Sequence, residues 1–148
     1  NSVFAGFPQT SIDIRSEESV TQVDLGELDV RHTVLADIGP DGRTFFEPET
    51  NTDDEADDFN DDASFDEEAF FEDPERSNRA ITGDLFSAAY DLTDPDFTPR
   101  AGTPEDLDGG PVPGGEFWDP SATWVGAVAP AEEAGSGWWR GWTTFERN

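Results

Sequence analysis

The sequence predicts a mainly β fold, with short solenoid-like or sandwich-like strands, one short α-helix and a long irregular C-terminal cap. Three observations lead to this prediction. Apolar and polar residues alternate with period two between residues 10 and 39, which is typical of strands. A capping-box pattern, Ser64 followed by Glu67, marks one helix start. All five tryptophans lie between Trp118 and Trp142, interleaved with glycine, which favours packed irregular structure over a regular helix.

Residues 10–47 are predicted to hold the strands. The alternating runs are Ile12–Arg15, Val20–Gly26 and Leu28–Arg31, the last continuing from His32 to Gly39, with a further brief strand at Thr44–Phe46. Gly39-Pro40-Asp41-Gly42 has the composition of a turn. Residues 1–9 precede these strands as a short apolar arm that ends around Pro8.

The remaining segments are defined by acidic residues, then by proline, glycine and aromatic residues. Residues 48–63 form an acidic loop, and residues 64–73 a short helix that ends before Pro74. Residues 81–90 are predicted to form a single helical turn or an irregular apolar plug. From residue 91 to 148 the chain is predicted to be an irregular aromatic cap, which completes a single domain spanning residues 10–148.

Composition limits the functional classes. The 148 residues carry 35 acidic and 8 basic side chains, a net charge of -27, and every basic residue is arginine. Two interpretations stay open: adaptation to high salt, which favours a salt-loving microbe, or a surface for cations or basic partners. Nucleic acid is an unsuitable partner because its phosphates require clustered lysine or arginine.

Cysteine usage and hydropathy give further expectations. The chain has no cysteine and therefore no disulfide or thiolate metal site. It also lacks an apolar run of about 18 residues, so no membrane span is expected. The sequence starts with Asn1 rather than methionine, as a processed exported protein or an excised segment would.

Two acidic clusters are candidate calcium sites, because Ca²⁺ takes six to eight oxygen ligands. Their members are Asp53, Glu55 and Asp57 in the acidic loop, and Asp91, Asp94 and Asp96 further on. The first cluster does not fit an EF-hand, since Asp58 stands where that loop needs glycine. A hydrated acidic surface is the alternative interpretation, and calcium is the one cofactor considered.

Three tryptophans, Trp118, Trp138 and Trp142, are candidates for stacking on sugars, with packing in a core or an interface as the alternative. The single histidine, His32, has no nucleophile or second histidine in its sequence pattern. Abundant carboxylates make a catalytic pair unrecognisable. No catalytic residue is therefore predicted, and the protein is not expected to be an enzyme.

Several segments, taken in order, resemble the C-terminal region of secreted bacterial proteins of the right-handed β-helix type, a poorly characterised family ending in a Gly-Trp-Thr motif. The segments that carry the resemblance are Val30–Val34, Phe70-Phe71, Asp94–Pro104, Phe117-Trp118, Trp124–Val128 and Gly141-Trp142-Thr143. Trp124 and Val128 replace the tyrosine and phenylalanine that are usual in the family. The resemblance implies an extracellular or cell-surface location and assigns no activity.

The chain has room for only about two β-helix rungs, whereas about three are needed for stability. Either the fold is a closed β domain, or the open edge needs backbone from another subunit, and the arm residues Val3, Phe4 and Phe7 are suitable to provide it. Repeated head to tail, such strand complementation gives a filament. The sequence therefore predicts a self-associating structural protein. The alternatives are a carbohydrate-binding module of a cell-surface protein and an acidic calcium-binding domain.

Overall fold

The computed structural model describes residues 1–14, 16–46, 65–100, 107–129 and 137. Short strands dominate, together with a few short helices, and the described residues form no closed barrel. The elements in chain order are β1 (Ser2–Ala5), α1 (Glu17–Asp24), β2 (Thr33–Ala36), α2 (Glu67–Glu72), a 3₁₀ turn (Pro74–Arg76), β3 (Arg79–Ile81), β4 (Phe86–Ala88) and β5 (Asp96–Pro99). The expectation of a mainly β protein is confirmed at this level.

The central sheet is parallel and its strands lie in chain order, β1-β2-β3. Val3 pairs with Val34 and Phe4 with Leu35, while Leu35 pairs with Ala80 on the other side. All four residues of the middle strand β2 are buried. A strand buried on both faces is expected to be continuously apolar, and the run Val34-Leu35-Ala36 meets that requirement.

Each face of the sheet packs against a different cluster. Val34 and Ala36 contact Leu85, Leu107 and Val125, with Val3, Ala5, Ile81 and Phe86 at the margin. On the opposite face, Leu35 packs with Ile38 and the α2 residue Phe71. Side chains alternate between the two faces of a strand. The sequence Val34-Leu35-Ala36 can therefore supply both clusters.

A second sheet corrects two predictions for the later chain. Strands β4 and β5 form an antiparallel pair, with Phe86 opposite Pro99. Residues 81–90 are thus neither a helical turn nor an irregular plug, and the segment from residue 91 onward is not wholly irregular. Pro99 is compatible with this pair because proline is tolerated in edge strands.

The predicted strand Val20–Gly26 is wrong, since its residues up to Asp24 lie in helix α1 and Leu25 is the C-cap of that helix. The Ser16 side chain accepts a hydrogen bond from the Ser19 N–H at 3.2 Å, and two acidic residues follow it in the first turn. These N-terminal signals outweigh the strand preference of the β-branched Val20, Thr21 and Val23.

The neighbouring strand predictions were also only partly correct. Residues 12–14 and 28–31 are not strands, and the ladder starts at Thr33, directly after His32, which has a φ of 48°. The Ile14 N–H donates to the Glu67 carboxylate at 2.9 Å rather than to a ladder. Residues 44–46 form no strand either, although Ile38 and Arg43 make an isolated bridge.

Other predictions held in part. The turn at Gly39–Gly42 is confirmed, with the Gly42 N–H donating to the Gly39 carbonyl at 3.2 Å. The second helix begins at Glu67, and its N-cap is Asp66, whose carboxylate accepts from the Ala69 N–H at 2.8 Å. The predicted cap Ser64 and the acidic loop 48–63 lie outside the described residues, as does most of the cap beyond residue 129.

Candidate functional site

The predicted arm is the first strand of the chain's own sheet. Strand β1 pairs with β2 over its whole length, and the pairing extends further because the Gly39 N–H donates to the Phe7 carbonyl at 2.8 Å. Beyond the arm, the next anchor is the Ser11 N–H, which donates to the Phe45 carbonyl at 3.1 Å. Residues 8–10 therefore join two separately anchored parts of the chain.

The backbone of β1 has one paired side and one outer side. The N–H groups of Ser2 and Gly6 point toward β2, where they donate to the His32 and Ala36 carbonyls, each at 3.3 Å. Successive residues of a strand direct their backbone groups to opposite sides. The N–H and C=O groups of Val3 and Ala5 therefore point away from the sheet, and no strand of the described chain pairs with them.

An apolar hollow of about 810 Å³ runs along this outer edge. Residues 1–5 form one side of the hollow, the β4–β5 hairpin and its turn form the second, and the strip from Val125 to Val128 forms the third. The strip passes close to the arm, because a Cβ placed on Gly126 would lie 3.0 Å from Val3 Cγ2. The outer edge of β1 and this hollow together are called the β1 edge site below.

The β1 edge site has no charged side chain in the described part of its lining, in a chain that is otherwise strongly acidic. Among the described residues that line the hollow, none has an acidic or basic side chain, although 35 of the 148 residues are Asp or Glu. The arm contributes to this, since the side chains from Asn1 to Ile12 are all uncharged. An apolar surface containing unpaired backbone groups suits a partner that offers both apolar side chains and backbone.

Two aromatic side chains of the arm remain exposed beside the hollow. Phe4 is 40% exposed and Phe7 is 47% exposed, and their ring centroids lie 6.3 Å apart. Val3, in contrast, is half-buried against the cluster that contains Val34 and Leu85. Of the three predicted assembly residues, Phe4 and Phe7 are thus available to a partner, while Val3 holds the arm in place.

Tyr90 fixes the C-terminal end of β1. Its ring lies against Gly6, which has a φ of 74°, and any side chain at Gly6 would overlap that ring. Although Tyr90 is 58% exposed, partial burial, then a hydrogen bond to the Asp37 carboxylate and the nearby negative charges of Asp37 and Asp84, raise its pKa to about 12.

Asn1 fixes the N-terminal end. The Gly110 N–H donates to the Asn1 side-chain oxygen at 2.7 Å. The imidazole of His32 packs against the same glycine. His32 therefore lies against the Gly110 backbone, immediately before strand β2.

The predicted sugar-stacking residues fall in different places. Trp118 is 48% exposed, and its ring meets that of Phe117 edge-on, with an interplanar angle of 89°. Those two rings do not form a flat platform. Trp138 and Trp142 lie outside the described residues, so their role as sugar-binding or packing residues stays a prediction.

The predicted calcium ligands are likewise divided. Asp53, Glu55 and Asp57 lie outside the described residues. The Asp91 carboxylate accepts hydrogen bonds from the Thr93 hydroxyl at 2.6 Å and from the Thr93 N–H at 2.8 Å, and these bonds lower the pKa of Asp91. In the part of the chain that the structure covers, no three His, Cys, Asp or Glu side chains form a group that could hold a metal ion.

The hollow itself was not anticipated from the sequence. Its walls include Phe86, Phe97 and Tyr90, which lie in segments predicted as a plug and as irregular chain. One sequence signal was available: residues 1–12 and 120–131 are the two longest stretches without a charged side chain. Both contribute to the hollow.

Comparisons with family models, with curated proteins and with solved structures find no match for this chain. The resemblance to β-helix surface proteins therefore stays a prediction. Among the described residues, no helix is both long and apolar enough to cross a membrane.

Proposed function

We propose that this protein is a non-enzymatic, extracellular structural protein that self-associates by strand complementation through its N-terminal arm, residues 1–9. The observation that carries the proposal is the arrangement of that arm. It covers one side of the buried strand β2 and is joined to the next anchor, Ser11, by only residues 8–10. An arm of this kind can cover β2 of its own chain or β2 of a neighbouring copy with the same contacts.

The central sheet supports an assembly that continues in one direction. The three strands are parallel and follow chain order, as the rungs of a solenoid do. We propose that they are one side of a short β-solenoid. Exchange of the arm from each copy to the next is a heterologous contact, and a heterologous contact that does not close produces a filament.

The extracellular location is supported by the resemblance to secreted β-helix proteins. Charge also bears on the assembly. The net charge of -27 makes copies repel one another, and salt screens this repulsion. Assembly is therefore expected to increase with salt concentration.

Deletion of residues 1–8 tests the proposed function. The truncated chain is expected to lose assembly, measured by sedimentation and negative-stain imaging in high salt, because β2 then has no exchangeable partner. A free peptide of residues 1–9 should bind the truncated chain without restoring assembly, and excess peptide should shorten assemblies of the full chain. A peptide with Val3→Asp is the matched control, since Val3 packs against the core. Normal assembly of the truncated chain would contradict the proposal.

A carbohydrate-binding module is the second candidate, and the exposure of Trp118 and Phe117 is the observation that favours it. It predicts that soluble polysaccharide quenches tryptophan fluorescence and that Trp118→Ala weakens this binding. The rings of Phe117 and Trp118 are perpendicular to each other, so together they offer no continuous flat surface for a sugar. This candidate is therefore the weaker one.

A further inference from the structure

We propose that the β1 edge site binds the β1 edge site of a second copy, with the two β1 strands antiparallel about a two-fold axis through Phe4. This inference rests on the proposed self-association and adds a second, lateral contact to it. The contact does not depend on whether β1 comes from the same chain or from a neighbour, since its outer edge is identical in both cases.

The backbone of the site defines the pairing. The outward N–H and C=O groups belong to Val3 and Ala5, two residues apart, so Val3 of one copy and Ala5 of the other can exchange two hydrogen bonds. The reciprocal pair forms at the same time, which gives four hydrogen bonds around the axis. An isologous contact of this kind requires one surface that is complementary to itself.

Charge identifies a second copy as the partner. Each chain has a net charge of -27, so most of its surface repels another copy. The β1 edge site is an exception, since the described residues that line it have no charged side chain. Two copies can meet across the hollow without bringing a charged side chain of one described lining against a charged side chain of the other.

The aromatic residues of the arm support the same partner. In the proposed register Phe4 lies directly opposite Phe4 of the second copy, in a non-hydrogen-bonded pair where Cα atoms are about 4.5 Å apart. The pair formed by Phe4 and Phe7, now 40% and 47% exposed, would be covered by its counterpart. Aromatic pairs across neighbouring strands stabilise the pairing of those strands.

Disulfide trapping tests the proposal directly, because the chain has no cysteine of its own. Phe4→Cys is expected to give a disulfide-linked dimer on mild oxidation, since disulfides need Cα atoms about 4.4–6.8 Å apart. Ser2→Cys is the matched control: in this register the Cα atoms of the two substituted residues would be about 13 Å apart, so their thiols should not link. Absence of the Phe4→Cys dimer, or equal linking of both variants, would overturn the inference.

Proline substitution provides a second, independent test. Ala5→Pro removes an outward N–H and should abolish trapping in the Phe4→Cys background, while thermal unfolding stays close to that of the parent, since proline is tolerated where an edge N–H points outward. Phe4→Pro removes an inward N–H and should lower the unfolding midpoint instead. Undiminished trapping in the Ala5→Pro variant would overturn the inference.

The two proposals can fail separately. Loss of assembly on deletion of residues 1–8 without trapping at Phe4→Cys would leave arm exchange standing and remove the lateral contact. Trapping at Phe4→Cys together with normal assembly of the truncated chain would support the lateral contact and remove arm exchange. Binding of an apolar fluorescent dye in the hollow, unaffected by trapping, would indicate a small-molecule occupant and contradict the second-copy assignment.

Discussion

The two edges of the central sheet, at strand β1 and at strand β3, differ in the chemistry that surrounds them. At the β1 edge, the described lining side chains are uncharged and mostly apolar, and two exposed phenylalanines flank them. Beside β3, the Asp29 carboxylate contacts both Arg31 and Arg76, and the Arg76 guanidinium lies 4.0 Å from the centre of the Phe70 ring. The β3 edge is thus held by several charged and amide side chains, while the β1 edge is held mainly by backbone pairing and apolar packing, with Asn1 as its one amide anchor among the described residues.

This difference indicates which end is suited to association. Charged side chains at a sheet edge oppose the addition of further strands, and the β3 end has Arg79 within its strand. The β1 end has no such protection. A very acidic protein can associate most readily where its surface is uncharged, and the sheet provides that surface at only one of its two described ends.

The largest expected effect is at the β3 end. The Asn78 side chain accepts from the buried Thr33 N–H at 3.0 Å and donates to the Val30 and Phe71 carbonyls at 2.8 and 3.1 Å. Asn78→Ala is expected to lower the free energy of unfolding by about 3 kcal/mol, because it leaves these backbone groups without their partner.

The control for Asn78→Ala is Asn1→Ala at the opposite end, where a single side chain bonds the Gly110 backbone. This loss should be about 1 kcal/mol. Denaturant titration of both variants measures the difference. Equal losses would mean that the two ends are held by side chains to the same extent.

A smaller loss of stability is expected from a change at Gly6, which directly follows the last residue of strand β1. Gly6→Ala should cost about 2–3 kcal/mol of unfolding free energy, from strain at positive φ and from overlap with Tyr90. Gly26→Ala is the matched control, because Gly26 has a similar φ of 71° and no atom within 4 Å of an added Cβ. Its expected cost is about 1 kcal/mol. Indistinguishable costs would show that Tyr90 does not hold the arm.

The ion pairs at the β3 end are expected to contribute less. Asp29→Asn should lower the unfolding free energy by about 1 kcal/mol, because this carboxylate contacts two arginines, and high salt should reduce the loss. Asp84→Asn, which removes the exposed pair with Arg100, is expected to change stability by less than about 0.5 kcal/mol. A larger loss from Asp84→Asn than from Asp29→Asn would contradict this ranking.

Titration of Tyr90 ranks last among these expected effects, because the side chain is 58% exposed and solvent screens the interactions that raise its pKa. It is the single tyrosine, so ultraviolet absorbance should give its pKa directly, at about 12 rather than the ordinary 10.0. The folded pKa lies above the unfolded pKa. The stabilising contribution is therefore complete below about pH 10 and is lost as pH rises toward 12.

Tyr90→Phe removes the titrating group and should lack this alkaline loss of stability, measured as the unfolding midpoint between about pH 9 and 12. A tyrosine that titrates near 10.0 in the folded protein would contradict the close packing of Tyr90 and its hydrogen bond to Asp37.

Sequence patterns predicted elements well where local signals agreed with one another. The turn at Gly39–Gly42 was recognisable from its composition. The strand within 28–39 was predicted from period-two alternation, although the part that forms β2 is buried throughout. Val20–Gly26 was misassigned because β-branched residues are frequent there, whereas the decisive signal was the preceding cap Ser16. Strand β5 was missed because a proline- and aspartate-rich segment has little strand preference, and its pairing with β4 supplies the order.

The sequence by itself determined the charge of this protein and, through the uncharged run Asn1–Ile12, an arm distinct from the acidic remainder. Only the tertiary structure decided where that arm lies, which of its backbone groups point outward, and that Phe86, Phe97 and Val125 enclose a hollow beside it. The physical reason is that charge and hydropathy are properties of each residue. Strand direction and register, in contrast, depend on contacts between residues that are 31 to 45 positions apart in the chain.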